Sequence, residues 1–201
     1  MLTKIAVFVS GGGTNLQALI DAQKSGIITS GEIALVLSSN PTAYALERAA
    51  KAGIPTAVVS RRASASPADF EAKICEALDA HGIEMIVLAG FMSILSADFT
   101  RKYDKKIINV HPSLIPSFCG KDFYGLRVHE AALAYGVKVT GATVHFVNEI
   151  PDGGEIIMQK AVYIEDGDTP ETLQRRVMEE AEWKILPLAC EQVAGKLAEN
   201  K

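Results

Sequence analysis

The 201-residue chain has no long hydrophobic run and little excess of charge of either sign. The longest apolar stretch in the middle of the sequence, Met85 to Met92, is far shorter than the ~20 residues that span a bilayer. The net charge of −4 leaves no basic surplus, which argues against holding nucleic acid by neutralising its phosphates. We therefore expect no membrane and no nucleic acid among the partners of this chain, and small molecules instead.

Cysteine is also scarce. The three cysteines, Cys75, Cys119 and Cys190, are widely spaced and match neither a zinc motif nor a redox pair. The only apolar run near the start, Ile5 to Val9, is too short for the core of a signal peptide. These absences predict reduced cysteines, no metal site and a cytoplasmic protein.

What the sequence does contain is an alternation of short β-rich runs and amphipathic helical stretches. This alternation predicts βαβ units and hence a doubly wound, mostly parallel sheet with helices on both faces. The predicted strands are Lys4–Val9, Glu32–Leu37, Thr56–Val59, Met85–Ala89 and Lys106–Val110, and the predicted helices are Asn15–Ser25, Ala43–Ala52, Pro67–His81 and Ala97–Tyr103.

The alternation changes in the last third of the chain. After a predicted helix at Val128–Tyr135, the β-rich segments Lys138–Val147 and Glu155–Ile164 are joined by a turn at Pro151–Gly154, which predicts an antiparallel strand pair. A final helix is expected to begin at Asp168–Glu171, where capping residues precede an apolar stripe. The predicted stripe consists of Leu173, Val177, Ala181, Ile185, Leu188 and Ala189. Since no linker divides the sequence, we expect a single α/β domain over residues 1–201.

A glycine-rich loop, Ser10 to Asn15, follows the first predicted strand directly and leads into a helix. Its backbone N–H groups and the positive end of the helix dipole favour a bound phosphate. A dinucleotide site would need a small residue in place of Leu16 and an acidic residue within Ser38–Asn40, and a P-loop would need a lysine after Gly13. The loop therefore predicts a monophosphate ligand, with a tight turn that binds nothing as the alternative.

A second group of polar residues ends the fifth predicted strand. Asn109 and His111 share one face of that strand, and Pro112 ends it at the carboxyl edge of the sheet. The glycine loop opens on the same edge, where ligands bind in open α/β sheets. An imidazole beside an amide can stabilise an oxyanion or move a proton. The alternatives are a hydrogen-bonded buried histidine for His111 and a turn or cap for Asn109.

The remaining histidines and one acid are less specific. His81 and His129 are expected to be structural, because one ends a helix and the other lies on an ordinary amphipathic helix. His145 alternates with apolar neighbours and fits either the core or a pocket wall. Asp152 lies in a Pro-Asp-Gly turn, where acids are usually turn formers, although the two glycines that follow permit a close approach to a ligand.

With these residues in view, the chain resembles the phosphoribosylglycinamide formyltransferase family over nearly its whole length. The resemblance is carried by four ordered blocks: Ser10–Gln17, Leu88–Leu95, Asn109–Pro116, and Gly141–Val147 followed by Asp152–Gly154. It implies transfer of a formyl group from 10-formyltetrahydrofolate, as co-substrate, to the amine of 5-phosphoribosylglycinamide in purine biosynthesis. It also implies a formyltransferase fold with an N-terminal phosphate-binding half of about 1–105 and a C-terminal catalytic and folate-binding half of about 106–201.

The resemblance assigns roles residue by residue. The implied catalytic residues are Asn109, His111 and Asp152, the acid raising the pKa of His111 so that a protonated imidazole stabilises the tetrahedral intermediate. The implied substrate-binding residues are Gly11, Gly12, Gly13, Thr14, Asn15, Leu16, Gln17 and Glu182. The implied folate-binding residues are Met92, Ser93, Ile94, Leu95, Asn109 and His145. Neither metal nor a covalent intermediate is implied, and the chain is expected to be a monomer or a homodimer.

The sequence departs from the family pattern in four places. Ser93 stands where arginine is common, Trp183 where histidine is common, and Pro151 where an aliphatic residue is common; the segment Ser117–Gly125 is longer than usual. Two other functions remain as alternatives: a formyltetrahydrofolate deformylase and a non-catalytic sensor of a sugar phosphate. The deformylase normally carries an additional N-terminal domain, and the first predicted strand here begins at residue 4, which favours the transferase.

Overall fold

The computed structural model describes residues 1–199, and strands and helices alternate over about the first two thirds of them. The strands are β1 (Thr3–Val9), β2 (Gly31–Ser38), β3 (Thr56–Val58), β4 (Met85–Leu88), β5 (Ile107–His111), β6 (Val139–Phe146) and β7 (Ile156–Tyr163). The helices are α1 (Thr14–Lys24), α2 (Tyr44–Lys51), α3 (Pro67–Ala80), α4 (Ala97–Lys102), α5 (Leu126–Tyr135), α6 (Pro170–Val177) and α7 (Trp183–Glu199). A 3-10 turn at Arg61–Ala63 and a π-helical turn at Met178–Glu182 complete the succession.

The seven strands form one sheet in the order β3-β2-β1-β4-β5-β6-β7. The pairs among β1 to β5 are parallel. The pairs β5–β6 and β6–β7 are antiparallel. The predicted fold, a mostly parallel doubly wound sheet with an antiparallel C-terminal strand pair, is therefore confirmed.

Strand β1 explains why helices cover both faces of the sheet. Ile5, Val7 and Val9 belong to the hydrophobic cluster that includes residues of α1, α2 and α7, whereas Ala6 and Phe8 belong to the cluster that includes residues of α3 and α4. All five side chains are fully buried. A strand covered on both faces needs a continuous apolar run, and burying each large side chain contributes about 1.5–3 kcal/mol.

The strand order reverses between β1 and β4, because the chain first moves outward to β2 and β3 and then returns beside β1. Loops that follow the two central strands meet at this point: the backbone N–H of Met92 donates to the Ser10 hydroxyl at 3.0 Å. Such a switch point leaves a crevice at the carboxyl ends of the strands, where open α/β sheets bind ligands.

The C-terminal helical segment differs from the predicted continuous helix. The π-helical turn at Met178–Glu182 adds one residue to the spiral, so the side chains beyond it are rotated relative to a regular α-helix. Leu186 is consequently buried, whereas Leu188 is 49% exposed. The placement of Leu188 in the apolar stripe was therefore wrong, while Leu173, Val177, Ala181, Ile185 and Ala189 are buried as predicted.

Residues 1–199 also bear on the predictions made for the cysteines and for a membrane span. Cys75, Cys119 and Cys190 are free thiols. Burial raises the pKa of the Cys190 thiol to about 12, so it is an inert core residue. Within residues 1–199 no helix has both the length and the apolar character required to cross a membrane.

Candidate active site

The glycine loop joins the end of β1 to the first turn of α1 and is built around Gly13. This residue has φ 73°, and a Cβ added to it would lie 2.6 Å from the Cβ of Ala45, so only glycine fits. The Gly12 carbonyl accepts a hydrogen bond from Arg48 Nε at 2.8 Å. No side chain caps the helix start, and the N–H groups of a first helical turn lack intrahelical acceptors. The loop therefore offers main-chain donors and a nearby guanidinium to an anion.

A buried acid faces this loop from the far end of the sequence. Asn15 Nδ2 donates to Glu182 Oε2 at 2.7 Å, across a separation of 167 residues. Glu182 lies in the π-helical turn and is only 6% exposed. Burial raises the pKa of its carboxyl group, and the Asn15 hydrogen bond opposes that shift. The arrangement places a polar carboxyl group beside the loop, as the resemblance implies.

Four polar side chains converge at the ends of β5 and β6 and in the following turn. The strand register sets Asn109 opposite His145, and Asn109 Nδ2 donates to His145 Nε2 at 3.2 Å. Asp152 reaches both histidines, with Oδ2 at 3.4 Å from His111 Nδ1 and Oδ1 at 3.6 Å from His145 Nε2. The three residues predicted to be catalytic thus lie together, and His145 belongs to the same cluster rather than to the apolar core.

Burial decides the charge state of His111. It lowers the pKa of the imidazole; Asp152 and the Phe118 carbonyl raise it by less, and His145 lowers it further. Asp152 thus raises the His111 pKa, as expected, but burial outweighs this contact. The separation of 3.4 Å is too long for a strong hydrogen bond. His111 is accordingly neutral at pH 7.

Asp152 is ionised and held in an unusual backbone conformation. Burial favours its neutral form, but the neighbouring His145 and His111 and the Gly120 N–H together lower its pKa. Its φ of 55° is left-handed, a conformation that costs a non-glycine residue about 1–2 kcal/mol. A Cβ on Gly154 would lie 1.7 Å from the Phe146 carbonyl oxygen, so this glycine lets the turn pack closely against β6.

The segment Ser117–Gly125 contacts this cluster through its backbone. The His111 Nε2–H donates to the Phe118 carbonyl at 2.8 Å, and the Gly120 N–H donates to Asp152 Oδ2 at 2.8 Å. A neutral His111 bonded in this way carries its proton on Nε2 and leaves Nδ1 facing Asp152. Backbone groups of one loop thus fix both the tautomer of the histidine and the orientation of the acid.

The sequence profile of the formyl transferase family matches residues 3–190. The chain belongs to the formyl transferase family. Phosphoribosylglycinamide formyltransferase from Haemophilus influenzae is 42% identical over 187 residues, which cover 93% of this chain and 85% of that protein. A trifunctional purine biosynthetic protein, adenosine-3, from Gallus gallus is 46% identical over 96% of this chain. The chain spans only 18% of the length of that trifunctional relative.

Solved structures give the same family. Glycinamide ribonucleotide transformylase 1 from Geobacillus kaustophilus matches with a TM-score of 0.89 and 37% identity, and the match covers 97% of this chain and 100% of the other. Phosphoribosylglycinamide formyltransferase from Brucella melitensis matches with a TM-score of 0.87 and 41% identity over 96% of each chain. The family and the fold predicted from the sequence are confirmed.

A cavity of ≈130 Å³ opens beside the cluster of Asn109, His111, His145 and Asp152. Its lining combines the predicted segment Ser93–Leu95 with Asn109 and His145, and adds the loop from Asn148 to Asp152. An apolar wall with a few converging polar groups is typical of a small-molecule site. Five of the six residues predicted to bind folate, all but Met92, therefore share one cavity with Asp152.

Two predicted site residues occupy other positions. Met92 does not line this cavity; its side chain is 59% exposed, and its backbone N–H is bonded to Ser10. Leu16 has a fully buried side chain in the core. Leu16 can meet a ligand only through its backbone, whereas Gly11, Gly12 and Thr14 are exposed at the loop surface.

Three contacts of the site escaped the sequence analysis. Phe118 and Gly120 act through backbone atoms, which carry no residue-specific signal, and they lie in the segment that departs from the family pattern. Arg48 also contacts the glycine loop, and it donates to Gln17 Oε1 at 3.1 Å. Arg48 and Gly12 are 36 residues apart, so the only available signal was a cation on the helix after the second strand.

A larger groove of ≈650 Å³ lies between α1 and α7 and reaches Thr14 and Gln17. Its walls are mostly apolar and include Trp183, Pro187 and Leu188. None of the four clustered polar residues lines it, so the smaller cavity, where ionisable groups converge, is the better candidate for chemistry. Within residues 1–199 no group of three or more His, Cys, Asp or Glu side chains is arranged to hold a metal ion.

Proposed function

We propose that this formyl transferase moves the formyl group of 10-formyltetrahydrofolate to the amine of 5-phosphoribosylglycinamide in purine biosynthesis. The observation that carries the proposal is the meeting, at one sheet edge, of a glycine loop suited to phosphate and a cluster of Asn109, His111, His145 and Asp152. The relatives named phosphoribosylglycinamide formyltransferase support it, as does a cavity beside the cluster.

The substrate phosphate would bind at the N-terminal end of α1. Backbone N–H groups of Gly11 to Asn15 and the helix dipole favour an anion there, and the Arg48 guanidinium lies beside the loop. Glu182, bonded to Asn15, is close enough to the loop to accept a hydrogen bond from the sugar or the glycinamide part. The phosphate contacts would then direct the amine toward the catalytic cluster.

The chemical step would be attack of the amine nitrogen on the formyl carbon. Because its Nε2–H is bonded to Phe118, neutral His111 presents Nδ1 as a base for the proton that the amine loses. Ionised Asp152, 3.4 Å away, would stabilise the imidazolium that forms. The Asn109 amide and the new imidazolium N–H would stabilise the oxyanion of the tetrahedral intermediate.

Collapse of the intermediate would break the bond between the formyl carbon and N10 of the folate. The proton held by His111 would pass to N10, so the amine proton ends on tetrahydrofolate and the charge balances. Asn109 and His145 line the cavity beside the cluster, Ile94 and Leu95 contribute to its apolar wall, and Ser93 lies between that wall and the polar lining residues. The step requires neither a covalent enzyme intermediate nor a metal ion.

The decisive experiment measures folate release from 10-formyltetrahydrofolate with and without 5-phosphoribosylglycinamide. Transfer predicts release that depends on the amine, with one formylated product for each tetrahydrofolate formed. Release without the amine would identify a deformylase instead. Binding of the sugar phosphate without release under either condition would identify a sensor.

Some features of the proposal rest on the sequence analysis. We propose one functional domain in which about 1–105 supplies the phosphate site and about 106–201 supplies catalysis and most folate contacts. The chain would act in the cytoplasm as a monomer or homodimer. Size measurement in solution and fractionation of cells address these two points directly.

A further inference from the structure

A buried threonine on β6 binds the segment that follows the catalytic histidine. Thr143 is paired with His111 across β5 and β6, and its side chain is fully buried. Its hydroxyl donates to the Ser113 carbonyl at 2.7 Å and accepts from the Ile115 N–H at 3.1 Å and from Gln159 Nε2 at 3.0 Å. One hydroxyl group thus fixes the backbone immediately after the strand that carries His111.

A second hydroxyl extends this network toward the active site. Ser113, also fully buried, donates from its Oγ to the Ser117 carbonyl at 2.5 Å. The next residue, Phe118, accepts the hydrogen bond from His111, and Gly120 donates to Asp152. Hydrogen bonds therefore connect Thr143 to both members of the catalytic pair through Ser113 and the covering loop.

From this connection we propose that Thr143 is a positioning residue, which sets His111 and Asp152 in their reactive geometry by anchoring the Ser113–Gly120 segment. The inference rests on the proposed function, because it assigns the pair a role in formyl transfer. Thr143 itself does not line the cavity at the catalytic cluster, so it acts through the loop and not by touching substrate. Displacements of about 1 Å in a catalytic group can lower a rate 10²-fold.

The same strand supplies a matched control. Thr140 is also buried on β6, at 3% exposure, but three residues away and hence on the opposite face. Its hydroxyl has no hydrogen-bond partner among the residues that the structure describes. Replacing each threonine by valine makes the same chemical change in the same strand, and only the change at Thr143 removes the loop anchor.

The test compares Thr143→Val, Thr143→Ser and Thr140→Val in the complete chain. We expect Thr143→Val to lower kcat by about 10- to 100-fold and to leave both KM values within about threefold. Thr143→Ser, which keeps the hydroxyl, should recover most of the rate, and Thr140→Val should match the wild type. Thermal unfolding of each variant fixes a temperature at which all are folded for the kinetic comparison.

A second readout reports the geometry without substrate. An NMR titration of His111 should give a lower pKa in Thr143→Val than in the wild type, because the loosened Phe118 carbonyl no longer favours the protonated ring. The other titratable groups that face the pair are His145, His129 and Cys119, and none of them is changed by the substitution. Thr140→Val should leave the titration unaltered.

Two results would overturn the inference: a Thr143→Val variant with normal kcat and an unchanged His111 titration, or an equal loss of rate in Thr140→Val. If the wild type shows no formyl transfer, the proposed function fails, and the titration alone still decides whether Thr143 positions His111. Should Thr143→Val not fold, Ser113→Ala removes the next hydrogen bond of the network and is expected to shift kcat and the titration in the same direction.

Discussion

The glycine loop and the cluster proposed to be catalytic lie at the same edge of the sheet but are built in different ways. The loop offers backbone donors from neighbouring residues, and Gly11 and Gly12 are exposed. The cluster consists of buried side chains, and its two paired members, Asn109 and His145, are 36 residues apart. Local backbone geometry thus suits the loop for holding a ligand, whereas burial and strand register tune the cluster for chemistry. Changes in the loop should therefore affect KM, and changes in the cluster kcat.

The largest expected effect is that of His111→Ala. Removing the imidazole takes away both the base and one oxyanion donor, so kcat should fall by at least about 10²–10³, or roughly 3–4 kcal/mol. Binding of 5-phosphoribosylglycinamide, measured by calorimetry, should change little because the phosphate site is intact. His81→Ala, which alters a histidine at the end of α3, is the matched control and should be fully active. An active His111→Ala enzyme would contradict the assignment of binding to the loop and of chemistry to the cluster.

The two regions also differ in how their buried titratable neighbours are held: Glu182 beside the loop is hydrogen-bonded to Asn15, whereas the neighbour of the cluster has no such partner. His129 on α5 is fully buried, and neither ring nitrogen has a hydrogen-bond partner in the described part of the chain. Burial, with a smaller contribution from the charge of His111, lowers its pKa from 6.5 to about 4. The unfolded chain therefore binds a proton between these pH values that the folded protein does not. The contribution of His129 to the free energy of unfolding is therefore complete above about pH 6.5 and falls by about 3 kcal/mol as the pH approaches 4.

This second prediction is tested by urea unfolding of the wild type and His129→Leu at pH 7 and pH 4. The wild type should lose about 3 kcal/mol more than the variant between the two pH values, since leucine cannot bind the proton. At pH 7 the variant should be as stable as the wild type or more so, because the replaced group has no polar partner. Equal losses in the two proteins would show that His129 is not the group responsible.

The contrast between the regions also explains what the sequence could predict. Parallel strands and helices follow from apolar periodicity, and the glycine loop is contiguous, so both were predicted from residues within one short window. The convergence of Asn109 and His111 on the loop follows from their place at a strand end. The resemblance to the family supplied the role of Asp152, which its turn sequence alone left open.

Other features of the fold and the site depend on contacts between residues far apart in the sequence. The π-helical turn at Met178–Glu182 displaced Leu188 from the core, and periodicity assumes a regular helix. The net pKa shift of His111 is set by burial, which the charged neighbour Asp152 alone did not reveal. Backbone contacts of Phe118 and Gly120 have no side-chain signature. The sequence thus predicted which residues meet, and the structure was needed for their protonation and orientation.

A third prediction concerns the loop itself. Gly13→Ala introduces a Cβ 2.6 Å from Ala45 and a side chain at φ 73°, so the first turn of α1 must shift. We expect KM for 5-phosphoribosylglycinamide to rise about tenfold, equivalent to 1.4 kcal/mol, with kcat within about threefold of the wild type. Gly26→Ala shares the left-handed strain, at φ 78°, but meets nothing within 4 Å. It should lose about 1–2 kcal/mol of stability and keep its KM.

The smallest expected effect lies at the mouth of the cavity proposed to bind folate, where Ser93 occupies a position that is often arginine in the family resembled. Ser93→Arg adds a cation beside this cavity, and the proposed co-substrate carries a carboxylate tail. An exposed ion pair contributes about 0.2–1 kcal/mol, so KM for 10-formyltetrahydrofolate should fall by about 1.5- to 5-fold. The gain should disappear in high salt and be absent in Ser93→Gln, which has similar length but no charge. A change in kcat would instead mean that this wall of the cavity shapes the catalytic cluster. Residues of one cavity would then affect both binding of the co-substrate and the chemical step.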